Sequence, residues 1–188
     1  MTDKRQKILD AARTTLAIKG FHGTTMSDIS RQAGVAAGTL YLYFEDKDTL
    51  LEQTLADNLE QIAHACFQSH DPSQSPHQQF VQIWTALAAF LIEHPQMLHG
   101  WELSRHVTDK ARLHQLQQKK QTLFMPIREL FETGLNSGQL KPIPMELLAA
   151  IGLESCAALV RRHIDGQFLL DEKMIAIASE ASWQAIAS

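Results

Sequence analysis

Between Thr25 and Phe44 the chain can bury its apolar residues in few ways. Two short helical stretches, one ending near Ala33 and one running from about Ala37 to Phe44, flank Gly34. Ile29, Ala33, Val35, Leu40 and Phe44 fall where they pack the two stretches on each other and on a preceding helix, and Ala33-Gly34 keeps the corner small. Thr25-Met26-Ser27-Asp28 has the form of a capping box, with an aspartate where glutamate is usual. The opposite side of the second helix leaves Gly38, Thr39, Leu42 and Tyr43 to solvent. Exposed Tyr and Leu on so short a helix need a partner, and the major groove of DNA offers one.

The remainder also reads as helix. Ile8, Leu9, Ala12 and Leu16 recur at helical spacing and Gly20 stops that run. Asp46 can cap a helix carrying Leu50, Leu51, Leu55, Leu59 and Ile62. Ser75 as N-cap, Pro76 at the first position and Gln78 at the third start another, which ends at His94-Pro95. Further helices are expected over 96–106, over 109–137 with a kink at Pro126, from Pro144 to about 165, and from Asp171 onward. The expected fold is all-α, with a three-helix DNA-binding domain over 3–63 (helix-turn-helix about 26–45) and a helical bundle over 64–188.

Charge follows the same division. Residues 1–44 carry six Lys or Arg against three Asp, +3, so the remainder holds −7 of a total of −4. A basic front on an acidic body suits a DNA reader with a separate partner domain. The chain opens charged rather than apolar, and no apolar run approaches the ~18 residues of a membrane span, so a soluble cytoplasmic protein without a membrane partner is expected. Cys66 and Cys156 sit in apolar surroundings with neither disulfide nor zinc spacing, and read as buried thiols. No nucleophile–base pair, phosphate loop or metal cluster is present, so no catalytic residues, metal or cofactor are expected. Gly134-Leu135-Asn136-Ser137-Gly138 is a helix end, not a nucleophile elbow.

From about Lys4 to Leu55 the chain closely resembles, without a gap, the DNA-binding domain of the TetR (tetracycline-repressor-like) family. The resemblance rests on Gly20 and Gly23, the Thr24-Thr25 pair, the Ala33-Gly34-Val35 corner, Gly38-Thr39-Leu40-Tyr41-Leu42-Tyr43-Phe44 and Lys47. It implies that Thr25 offers its hydroxyl and its helix N-terminus to a phosphate. It likewise implies that Ala36, Ala37 and Gly38 bring backbone close to the groove, that Thr39, Tyr43 and Lys47 hold phosphates, and that Tyr41 and Leu42 face bases or sugar edges. Core packing competes for Tyr41 and Tyr43, and a solvated surface position for Lys47. Many members have Ser and Lys where this chain has Ala36 and Ala37, and a polar or aromatic residue at Leu42. Reading would then lean on thymine methyls and DNA shape.

Aromatic and Met residues recur through the body, and either form plain core or line an effector pocket. The candidate lining is Phe80, Trp84, Met97, Trp101, Glu102, Phe124 and Met125, which suits an apolar or aromatic small molecule. His99, Glu102 and His106 share a helix face and read as a polar patch, with an effector contact or a metal as the rarer uses. Small residues from Ala149 to Ala185 suit close helix packing between two copies, giving a homodimer through about 144–187. The function expected is a homodimeric repressor of a palindromic operator in double-stranded DNA, released by a small-molecule effector. An enzyme, and an adaptor that keeps the fold without binding DNA, are the rivals.

Overall fold

In the computed structural model, which describes residues 4–188 apart from the side chains of Trp101 and Glu102, all regular structure among the described residues is helical except one isolated antiparallel bridge between Leu140 and Ala187. Asp3, where the expected DNA-binding domain begins, lies outside the described residues. The helices are α1 Lys4–Gly23, α2 Met26–Ala33, α3 Ala37–Tyr43, α4 Lys47–Phe67, α5 Pro76–Glu93, α6 Gly100–Ser104, α7 Lys110–Leu123, α8 Met125–Asn136, α9 Met145–Gly152, α10 Glu154–Ile164 and α11 Glu172–Ile186. The all-α expectation holds. No helix is long and apolar enough to cross a membrane among the described residues.

The starts and stops follow local chemistry. Ser75 and Gln78 close a capping box on α5 with Pro76 in its first turn, and Asp171 caps α11 by accepting from Met174 N–H. Asp46 accepts from Thr49 N–H at 2.7 Å at the start of α4. Gly20 interrupts α1 at φ 67°, ψ 175°, a backbone region reserved for glycine, so the turn Gly20–Gly23 departs from the helix axis as a stop signal requires.

Three expected helices come out differently. The long helix over 109–137 is not kinked at Pro126 but divided, with Phe124 as a non-helical junction and Pro126 in the first turn of α8. Proline lacks the N–H that a continuous helix would need there, whereas a first turn does not use it. The helix after Pro144 breaks at Leu153. Gly152 is the weak point: a Cβ there would lie 3.0 Å from both Ile186 Cδ1 and Phe80 Cε2, so close packing demands a residue of low helix propensity. Over 96–106, a 3₁₀ turn at Pro95–His99 precedes the short α6.

Packing defines two units, and they are not contiguous in sequence: residues up to Glu60 cluster with Gln96–Gln121, and Gln61–Pro95 with Thr122–Ser188. The first unit has one core, made of Ile8, Leu9, Ala12 and Leu16 of α1, Ile29 of α2, Leu40 of α3, Phe44, Leu50, Leu51 and Leu55 of α4, with Leu103 and Leu116 added from α6 and α7. The second unit packs α5 against α8, α10 and α11, with α9 against α8, α10 and α11. Phe80, Ile83, Trp84, Phe131, Leu148, Cys156, Val160 and Ile186 are buried there.

Candidate nucleic-acid interface

The arrangement of α2 and α3 follows from their caps. Thr25 Oγ1 accepts from Asp28 N–H at 3.1 Å and donates to the Asp28 carboxylate at 2.8 Å, while Thr25 N–H donates to the same oxygen at 3.2 Å. The Lys19 ammonium, 3.0 Å away, and then the Thr25 hydroxyl and N–H hold the Asp28 carboxyl at about 2. Gly34, at φ 65° and ψ 32°, ends α2 in the left-handed conformation, with Gly34 and Val35 N–H donating back to the Arg31 and Ser30 carbonyls. Three residues after Gly34, α3 begins at Ala37, with the Ala36 carbonyl accepting from Thr39 N–H at 2.9 Å.

Leu40 and Phe44 anchor α3 in the core, and the rest of the helix faces solvent. Ala36, Ala37 and Gly38 are exposed and Thr39 is half-buried. Leu42 is 84% exposed, Tyr41 55% and Tyr43 39%. Core packing therefore does not account for either tyrosine. α3 carries no charged side chain, so it offers hydroxyls, backbone and apolar surface rather than cations.

Two of the residues expected at phosphates are engaged within the protein. Lys47 Nζ donates to the Phe21 carbonyl at 2.9 Å and the Thr24 carbonyl at 3.1 Å, and sits 4.2 Å from the centroid of the Phe21 ring. It is half-buried and ties the N-terminus of α4 to the end of α1. Its ammonium retains one hydrogen beyond those two bonds. The Thr25 hydroxyl hydrogen is likewise given to Asp28, leaving its oxygen and the α2 N-terminus as the groups facing outward.

Sequence reading missed the brace beneath this surface. Arg13, 3% exposed on α1, donates from Nε to Asn58 Oδ1 at 2.6 Å, from Nη1 to Asp10 at 2.8 Å, and from Nη2 to Asp57. Arg5 adds a bond from Nη2 to Gln53 Oε1 at 2.8 Å. Together these fix α1, which supports the reading helices, to α4. The signal was available: Arg13 stands four residues after Leu9 and three before Leu16, on the apolar stripe of α1.

The expected effector lining is divided between the units. Phe80 and Trp84 are wholly buried in the second unit, Phe80 against Trp183. Phe124 is half-buried there, edge-on to Phe67 at 5.9 Å, and Met125 is exposed. Met97 is buried and belongs to the first unit. The side chains of Trp101 and Glu102, named both in that lining and, for Glu102, in the His99–Glu102–His106 patch, lie outside the described residues. His106 stacks on Phe21 at 5.0 Å and meets His22 edge-on at 4.9 Å.

Comparison with known proteins bears on both parts of the chain. Residues 8–54 match the model for bacterial regulatory proteins of the tetR family, and residues 76–187 match that for the tetracyclin repressor-like C-terminal domain. A transcriptional regulator of the TetR family from Vibrio parahaemolyticus is 31% identical, with a TM-score of 0.82 over 99% of this chain and 100% of that one. A TetR family regulator from Marinobacter aquaeolei is 26% identical, with a TM-score of 0.86 over 98% of this chain and 96% of its own. Among sequences, an HTH-type transcriptional regulator of Haemophilus influenzae is 25% identical over 98% of this chain and 96% of its own length.

Proposed function

Since the chain belongs to the TetR family of bacterial transcriptional regulators, and is a DNA-binding regulator rather than an enzyme, we propose that it works as a homodimeric repressor of a palindromic operator, released by a small-molecule effector. The bare outer side of α3 carries this reading. A helix of seven residues that buries Leu40 while leaving Leu42 at 84% exposure is held in place for something outside the chain. In this proposal Ala36, Ala37 and Gly38 let the α3 backbone approach the groove. Thr39 and Tyr43 bond phosphates, Tyr41 and Leu42 meet sugar edges and thymine methyls, and Thr25 meets a phosphate through the α2 N-terminus. Lys47 contributes its charge mainly by bracing the frame, with its remaining hydrogen turned to the phosphate.

The proposed reading domain spans 3–63 and the effector and dimer domain 64–188. Leu147 and Ile151 on α9, and Met174 and Ile177 on α11, are exposed apolar residues interleaved with exposed Ala150, Ala158 and Ala181. A second copy covering this face gives the dimer. Pairing then sets two α3 helices about 34–36 Å apart, one turn of DNA. The helix α4 runs unbroken from Lys47 to Phe67, with its early residues in the first packing unit and its last in the second. An apolar or aromatic effector that prefers a different setting of α4 lowers DNA affinity by the difference in its own affinity for the two states.

The test is a fluorescence-anisotropy titration of duplex DNA from upstream of the chain's own coding sequence, comparing the parent protein with L42A. L42A is expected to keep its stability to within about 0.5 kcal/mol, as an exposed substitution does, while DNA affinity falls by about tenfold, the value of a groove contact. Equal affinity in the two proteins would remove α3 from the interface.

A further inference from the structure

His106 has no place in the interface described above, yet it bears on the part of it that carries charge. It follows α6, where its N–H donates to the Leu103 carbonyl at 3.0 Å. Leu103 is buried in the core of the first packing unit and Val107 packs against that core, so the backbone at His106 is fixed on both sides. Its imidazole lies nearly parallel to the Phe21 ring, with centroids 5.0 Å apart and planes 19° apart, and His22 meets it edge-on. Phe21 sits in the turn Gly20–Gly23, which leaves the α1 axis and leads into the Thr25 cap of α2. Lys47 uses the same residue twice: its ammonium lies over the Phe21 ring, 4.2 Å from the centroid, and donates to the Phe21 carbonyl at 2.9 Å. One ring thus joins His106, far downstream, to the lysine that opens α4.

Building on the reading of α3 and Lys47 above, we propose that His106 is a positioning residue for DNA binding. Stacked on Phe21, it sets the tilt of the ring whose face seats the Lys47 ammonium, and with it the charge that Lys47 turns to the DNA backbone. An aliphatic side chain would fill the volume without setting that tilt, because only a flat ring has a preferred plane. The tilt matters because a cation is attracted to the face of the ring and not to its edge. His106 acts through Phe21 and needs no contact with DNA. The DNA-binding surface is then completed by a residue outside the helix-turn-helix segment, on the turn between α6 and α7.

The experiment uses the full-length protein as parent, H106A and H106F. Phenylalanine keeps a flat ring, and His106 borders a cavity of about 250 Å³ that gives the larger ring room. DNA affinity is measured by fluorescence anisotropy on the upstream duplex across a salt series. The Lys47 ε-methylene protons are followed by 1H–13C spectroscopy without DNA, with K47R assigning them; in the parent they should lie upfield, shielded by the Phe21 ring. The expected result is that H106A binds DNA about tenfold more weakly, the loss of one charge-assisted contact, with a salt slope smaller by about one, and that the upfield shift of Lys47 collapses. H106F should restore both. H106Q, of similar length and without a ring, replaces H106A should that variant not fold. Parent-like DNA affinity in the ringless variant, a Lys47 shift unchanged by it, or no rescue in H106F would each overturn the inference. DNA binding by the parent separates the two levels. If it is present while these results fail, only the role of His106 is wrong; if it is absent at low salt, the regulator reading fails and this inference with it.

Discussion

Replacing Arg13 with methionine should be among the more destabilising single changes in the first packing unit. Methionine fills much of the same volume, so the change removes charge and hydrogen bonds more than packing. Three charge-assisted bonds are lost, to Asp10, Asp57 and Asn58. The Asp10 carboxylate is 52% exposed and rehydrates, so that bond contributes little. Asp57 is only 12% exposed at its side chain and keeps the Gln6 Nε2 donor at 3.2 Å, while Asn58 is buried and its Oδ1 is left facing an apolar group. Breaking a buried pair from one side costs about 3–5 kcal/mol, and with the Asp10 bond discounted a loss of about 3 kcal/mol is expected. That is a large share of the ~5–15 kcal/mol that holds a typical domain folded. Urea unfolding at fixed protein concentration measures it, since dimer stability depends on concentration. The double variant R13M/D57L should recover part of the loss, because the largely buried carboxylate that faced Arg13 is then gone. A loss for R13M below about 1 kcal/mol, or no recovery in the double variant, would refute the reasoning.

Thr25→Ala removes the α2 cap and should cost about 1 kcal/mol in urea unfolding, with weaker DNA binding because the α2 N-terminus loses its fixed position. The Asp28 carboxyl is held at about 2, below its ordinary 3.8, so its contribution is fully present above pH ~4 and is lost as pH falls through about 2. An acid titration of stability should therefore be steeper between those values for the parent than for D28N, and identical slopes would contradict this. Ile177→Glu, on the exposed apolar face of α11, should weaken dimerisation by at least about a hundredfold, as an unpaired charge in an apolar interface does; analytical ultracentrifugation showing an unchanged dimer would remove α11 from the interface.

What could be read from sequence was what local chemistry sets. The caps at Thr25, Asp46 and Ser75 act within three residues, and all three are formed. The corner at Gly34 and the buried set Ile29, Leu40 and Phe44 follow from spacing alone. The breaks at Phe124 and Leu153 were not legible in the same way. Gly152 is pressed by Phe80 and Ile186, residues 72 and 34 positions away in a chain where nothing local announces the contact. Lys47 shows the limit at the site itself. A lysine opening a helix beside a reading head carries the right charge for a phosphate, and nothing local announces that the carbonyls of Phe21 and Thr24, 26 and 23 residues upstream, also engage it. Aromatic residues likewise mark apolar interiors, and only three-dimensional packing separates core from a cavity wall.

The account stands on α3 entering the major groove, and a footprint reads that directly. Methylation protection at guanine N7, with the purified protein on its upstream DNA across a salt series, should show two protected major-groove patches on one face of the duplex, about 34–36 Å apart. The binding constant should fall log-linearly with salt as phosphate contacts release counterions. A protein that leaves every guanine N7 unprotected at low salt would contradict the assignment of α3 as the reading helix.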